Sequence, residues 1–116
     1  MARYRVTRRA RADIAQILAT SVEHWGGENK RRYSLLIVAG MRKVADEPEG
    51  RVTKARNDLS RGVRSFHLRN VTGDSRAKVK HPVHLLYYRI VRPGLVEILG
   101  VLHERMEPER HIGDDL

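Results

Sequence analysis

Two apolar runs, Val83-His84-Leu85-Leu86-Tyr87-Tyr88-Arg89-Ile90-Val91 and Leu95-Val96-Glu97-Ile98-Leu99-Gly100-Val101-Leu102-His103, stand only three residues apart. Pro93-Gly94 between them makes the pair a β-hairpin with a tight turn. Successive side chains of a strand point to opposite faces. On simple alternation Leu86, Tyr88 and Ile90 share one face, with Leu85, Tyr87 and Arg89 on the other; Val96, Ile98 and Leu102 likewise oppose Leu99 and Val101. Both faces of the sheet therefore carry large apolar groups, and each needs cover.

The preceding sequence supplies cover for one. Tyr4 and Val6 alternate with Arg3, Arg5 and Thr7 as in a short strand, and Thr7 suits the N-cap of a following helix. From Arg8 to Trp25, the residues Ile14, Ile17, Leu18, Ser21, Val22 and Trp25 recur at three- and four-residue steps. Gly26-Gly27 stops that stripe, and Tyr33, Leu36, Ile37, Met41 and Val44 mark a second helix from near Glu28 to Pro48. Residues 49–61 read as a mostly irregular basic connection, Gly62 to Arg69 as another strand, and Thr72-Gly73-Asp74-Ser75 as part of a long hairpin loop. The order β-α-α-β-β-β predicts an α+β fold, with a helical hairpin packed on one face of an antiparallel sheet. One domain spans residues 1–116.

A two-helix layer covers one sheet face only. Leaving Leu85, Tyr87, Leu99 and Val101 wet would forgo about 1.5 to 3 kcal/mol per side chain. The connection at 49–61 or the C-terminal tail could shield them; docking of another chain is the alternative adopted here. The chain has 23 Lys and Arg against 14 Asp and Glu, a net charge of +9, so an apolar groove ringed with cations suits an acidic, amphipathic segment that folds as it binds. Aromatic residues are 5% of the chain, too few for the stacking platforms of single-strand binders. With no cysteine, disulfides, thiol catalysis and cysteine-held metal are excluded. The absence of a signal-like or membrane-length apolar stretch predicts a cytoplasmic protein without a membrane partner.

Several pieces, in order, carry a family resemblance: Trp25-Gly26, Pro48-Glu49-Gly50-Arg51, Val63-Arg64-Ser65-Phe66-His67, His84-Leu85-Leu86-Tyr87-Tyr88-Arg89 and Leu102-His103-Glu104-Arg105-Met106. Together they resemble the ParE branch of the ParE/RelE toxin superfamily. The resemblance implies the RelE/ParE-like fold and the toxin half of a type II toxin-antitoxin pair. It also implies no cofactor, a ParD-like antitoxin with an acidic tail forming a hetero-oligomer with the toxin, and DNA gyrase as the target. Leu85, Tyr87, Leu99 and Val101 become the expected antitoxin-binding residues, and His103, Arg105, Met106 and Arg110 the expected target contacts.

RelE relatives instead cut messenger RNA on the ribosome, which requires a general base, a general acid and cations around the phosphate. His67, His81, His103, Arg64, Arg69 and Tyr88 are the residues available for that chemistry. After His103 the chain reads Glu104-Arg105-Met106-Glu107-Pro108, without the C-terminal Tyr and dense cations expected of a RelE-like nuclease. This favours a noncatalytic inhibitor. A non-toxic basic nucleic-acid-binding module is the third reading, and sequence-specific contact with nucleic acid is not expected. His81 and His84 fall on opposite faces of a strand start, which works against a shared metal. Trp25 is expected to anchor the helical turn.

Overall fold

The computed structural model describes residues 2–73, 75–113 and 116; the side chains of Trp25 and Ser75 also fall outside the description. The anchoring expected of Trp25, and Asp74 in the expected loop, therefore lie outside the described residues. The elements are β1 (Arg3–Val6), α1 (Arg8–Trp25), α2 (Gly27–Asp46), β2 (Lys54–Ala55), β3 (Val63–His67), β4 (His84–Arg92), β5 (Leu95–His103) and α3 (Pro108–Ile112). Short 3₁₀ turns at Leu68–Asn70 and Ser75–Ala77 join β3 to β4.

The five strands form one sheet in the order β1-β5-β4-β3-β2. β1 runs parallel to β5, and the remaining pairs are antiparallel, so the sheet is mixed rather than wholly antiparallel. The reason is topological: the α1–α2 hairpin returns the chain to the side where β1 began, and β5 enters between β1 and β4. Gly26, at φ 84°, is the single residue between the helices, a left-handed position at which glycine carries no Cβ penalty. On α2, Tyr33, Leu36, Ile37, Met41 and Val44 are buried, as their spacing predicts. They meet Phe66, Leu86, Tyr88, Val96, Ile98 and Val101 in the main core.

α1 begins by completing the sheet. Thr7 Oγ1 accepts from the Ala10 N–H at 3.1 Å as N-cap and donates to the Leu99 carbonyl at 3.3 Å. One turn on, Asp13 Oδ2 accepts from the Val101 N–H at 3.1 Å. β1 ends at Val6, so the β5 edge beyond it would otherwise leave backbone groups unpaired; Thr7 and Asp13 satisfy them. Burial raises the Asp13 carboxyl above its ordinary value, against the lowering effect of the Val101 N–H and Arg9.

The second face differs from its prediction because β5 contains a bulge. Tyr87 pairs with Gly100 but Tyr88 pairs with Ile98, leaving Leu99 as an extra residue. Beyond it the alternation reverses. Val101 faces the helices with Leu86, whereas Leu102 joins Leu85 and Tyr87 on the opposite side. Leu59 and Ile112 complete that second cluster, and Arg56 lies over the Tyr87 ring at 5.8 Å. The expected uncovered face is thus roofed by this chain's own α3 and by the 49–61 connection. Tyr87 is 4% exposed, Leu99 0% and Val101 2%; Leu85 is half-buried. Burying such side chains stabilises by about 1.5 to 3 kcal/mol each, which the chain obtains without a partner. These four residues form no open docking surface.

At the opposite end of the hairpin, Tyr33 ties α2 to β4. Its hydroxyl accepts from the Val83 N–H at 3.4 Å and shares a hydrogen bond with His84 Nδ1 at 2.5 Å. The half-buried His84 ring is neutral. Burial, reinforced by the nearby His103 and His67, lowers its pKa from 6.5 to about 4. Burial likewise raises the Tyr33 hydroxyl to about 12.

Two outcomes follow from this packing. A Cβ on Gly100 would stand 2.6 Å from Ile112 Cγ2 and 3.3 Å from Asp13 Oδ2, so Gly100→Ala should push α3 off the sheet and cost about 1 to 3 kcal/mol. Urea unfolding with amide exchange at 108–112 measures this; unchanged stability with α3 still protected would contradict it. Unfolded His84 takes up its proton near 6.5 and the folded group only near 4, so the unfolded state binds more protons in that window and stability falls as pH falls through it. After discounting for solvent, the loss by the lower limit is about 1 to 2 kcal/mol. His84→Gln should flatten the profile, and an unaltered profile in that variant would assign the loss elsewhere.

Candidate functional site

A wide opening lies where three elements diverge: the second half of α1, the beginning of α2, and the junction of β4 with the end of β5. It is a groove of about 890 Å³. Ile17, Thr20 and Ser21 form one wall, Tyr33, Val83 and His84 the floor, and Arg105 with Met106 the far lip. The groove exists because α1 is only partly seated on the core: Ala10 is fully buried, Ile14, Ile17 and Leu18 are half-buried, and Val22 is 43% exposed. The stripe predicted for α1 is real, but toward its end Ile17 and Ser21 line the groove and Val22 is exposed. Met106, at 44%, is another large exposed apolar group at this site.

The lip is fixed by the end of β5. Glu104 N–H donates to the Val83 carbonyl at 2.7 Å, Met106 N–H to the His103 carbonyl at 2.9 Å, and Arg105 N–H to His103 Nδ1 at 3.1 Å. His81, at φ 53°, turns the chain into β4 and brings Lys80 and His81 to the rim. No carboxylate lines this groove among the described residues, whereas Lys80 and Arg105 do. Ser21 Oγ in its wall is buried without a hydrogen-bond partner. An apolar floor, a cationic rim and an unused hydroxyl suit a partly apolar, acidic peptide.

Of the expected target contacts, His103, Arg105 and Met106 come together here, and Arg110 does not. Arg110 sits on α3, paired with Glu107 at 2.9 Å, where both side chains are largely exposed. The residues available for RNA cleavage are dispersed. Arg64 and Tyr88 are in register on the helix side of the sheet, where Arg64 Nη2 donates to Thr53 Oγ1 at 2.8 Å and the Tyr88 hydroxyl donates to the Pro48 carbonyl at 2.5 Å. His67 has opposite parity on β3, and Arg69 lies in the following 3₁₀ turn rather than on the strand. His67 accepts from the Arg69 N–H at 3.1 Å through Nδ1, and its Nε2 donates to Glu104 Oε2 at 2.7 Å. The latter contact holds the Glu104 carboxyl below its usual range. No group of three His, Cys, Asp or Glu side chains positioned to hold a metal occurs among the described residues.

Sequence reasoning missed Ile17 and Tyr33 as site residues because each belongs to a helical stripe that reads as core, and Thr20 because it lies beside one. The available signal was Ser21 within the α1 stripe and Thr20 next to it, polar groups lining the groove.

Comparison with known proteins agrees with this architecture. Residues 4–108 match the family model described as ParE toxin of type II toxin-antitoxin system, parDE. A Toxin ParE1 of Caulobacter vibrioides is 30% identical over 111 residues, covering 95% of this chain and 97% of that protein. A Toxin ParE1 of Mycobacterium tuberculosis is 24% identical over 110 residues, with the same coverage of 95% and 97%. Among solved structures, a chain of the chromosomal ParDE TA system from P. aeruginosa shares the fold at a TM-score of 0.64 and 19% identity, covering 89% of this chain and 96% of that one. The chain belongs to the ParE toxin family of type II toxin-antitoxin systems.

Proposed function

We propose that this protein halts growth by binding DNA gyrase in the cytoplasm through protein contacts, and that a ParD-like antitoxin neutralises it by laying an acidic segment in the groove between α1, α2 and β5. Toxin and antitoxin then form a hetero-oligomer. The observation that carries the docking site is the charge and polarity of that groove: an apolar floor without a carboxylate, bordered by Lys80 and Arg105. Family membership supports the toxin role. His103, Arg105 and Met106 lie on the lip that the antitoxin would cover, so occupation of the groove would also hide the proposed target contacts.

The fixed histidines support inhibition without bond making. His67 and His103 each use Nδ1 as an acceptor, from the Arg69 N–H and the Arg105 N–H respectively, and His84 Nδ1 is hydrogen-bonded to the Tyr33 hydroxyl. A general base needs an accessible nitrogen within reach of the substrate proton, with cations around the phosphate. Here the Nδ1 atoms of His67 and His103 are committed to holding turns and that of His84 to Tyr33, and Arg64 is on the other side of the sheet from His67. The gyrase assignment itself rests on the family alone.

Expression of the chain alone should arrest growth, and co-expression of the antitoxin should relieve the arrest. Purified protein should inhibit gyrase supercoiling of relaxed plasmid while leaving translated messages intact. Met106→Glu should weaken antitoxin binding at least tenfold, a loss of about 1.4 kcal/mol, and weaken supercoiling inhibition with it. Message cleavage without an effect on gyrase would overturn the target; unchanged antitoxin affinity in the variant would overturn the docking site.

A further inference from the structure

The face opposite the helices is roofed by α3 at one end only. At the other end, toward the β4–β5 turn, the strands carry a regular set of arginines. Arg5, Glu97 and Arg89 stand side by side across β1, β5 and β4, and two residues further along Arg3, Leu95 and Arg92 do the same. Arg3 and Arg5 have opposite parity to Tyr4 and Val6, which pack on the main core. Adjacent strands are about 4.8 Å apart and alternate residues about 6.7 Å apart along a strand. Four arginines thus neighbour one another on this face, two of them bound to one carboxylate.

That carboxylate organises the array. Arg89 donates to Glu97 Oε1 through Nε and Nη2 at 3.0 and 2.7 Å, while Arg5 donates to Oε2 through Nε at 2.9 Å. Glu97 is 13% exposed against 55% for Arg5 and 43% for Arg89, so the acid lies beneath and the cations above. Burial alone would raise the Glu97 carboxyl, but Arg89 and Arg5 hold it below its usual range. Arg3 and Arg92 are exposed and have no ion pair among the described residues. Four cations beside one acid leave a surplus of positive charge on this face.

We propose that this surface binds the phosphodiester backbone of duplex DNA without regard to sequence. Guanidinium forks match phosphate oxygens bidentately, and duplex DNA presents one charge per about 1.7 Å of axis. A protein partner would require large exposed apolar anchors at the centre of its interface, whereas the middle of this array holds the charged Glu97 and a half-buried Leu95. A single strand would require aromatic platforms, and Tyr87, the aromatic of β4 on this face, is 4% exposed beneath the α3 roof. The surface is separate from the antitoxin groove, so the proposal stands independently of the gyrase reading.

The test is fluorescence anisotropy of full-length protein with a short labelled DNA duplex of arbitrary sequence, across a salt series and without gyrase. Arg3→Gln with Arg92→Gln removes two cations that hold no internal ion pair, so folding, checked by circular dichroism, should be kept. Loss of two phosphate contacts should flatten the slope of log K against log salt by about 1.8 and reduce affinity at low salt about tenfold. Arg31→Gln with Lys78→Gln, an equal charge loss elsewhere, should change binding by less than about twofold. Equal losses in both double variants would reduce the effect to net charge and overturn the proposal. So would tighter binding of labelled polyglutamate, which would indicate an acidic protein, or tighter binding of an RNA duplex of the same length.

Discussion

The bulge at Leu99-Gly100 decides what each face of this protein does. One extra residue in β5 reverses the alternation, placing Val101 under the helices and Leu102 beside Tyr87. Gly100 then has no Cβ where Ile112 and Asp13 approach it most closely. A short C-terminal helix can seat on one side of the strand while an α1 carboxylate satisfies the Val101 N–H. Without the bulge, Leu99 and Val101 would share a face with Tyr87 and require cover from another molecule.

Because the tail closes the second face, the apolar surface left over is displaced to the place where α1 lifts away from the sheet. Its floor is held by Tyr33 and His84, a neutral pair whose geometry depends on an imidazole kept uncharged by burial. Its lip is held by His103 and the turn into Arg105-Met106. His84 and His103 are positioning groups here, the first tied to Tyr33 and the second accepting from the Arg105 N–H, which leaves the cationic work to Lys80 and Arg105. The same fold thus presents two charged surfaces of different character, an apolar groove with a basic rim and an arginine array on the sheet.

The fold was legible in the sequence where periodicity was strong. Residues 8–25 and 95–103 coincide with α1 and β5, the buried α2 positions follow the predicted stripe, and Thr7 is the N-cap. The parallel pairing of β1 was not legible, since a four-residue strand carries no directional signal. Strict alternation failed at β5 because a lone glycine inside a strand marks a bulge, and Gly100 supplied that signal. α3 was also announced, by Pro108 at the first helical position and Ile112 four residues on, but its five residues sit within a charged run that reads as tail. For the site, motif order pointed to His103, Arg105 and Met106, which the structure places together on the groove, whereas Leu99 and Val101 inherited the parity error and Leu85 and Tyr87, on the predicted face, are roofed by an α3 that reads as tail.

The central claim is that the chain covers its own second sheet face and reserves the α1–α2–β5 groove for its partner. Hydrogen exchange on the free protein and on its complex with the antitoxin tests it directly. Amides of 85–87 and 99–102 should be protected in both states, while 17–21, 29–33 and 103–106 gain protection only in the complex. Rapid exchange at 85–87 and 99–102 in the free protein, suppressed by the antitoxin, would contradict the account.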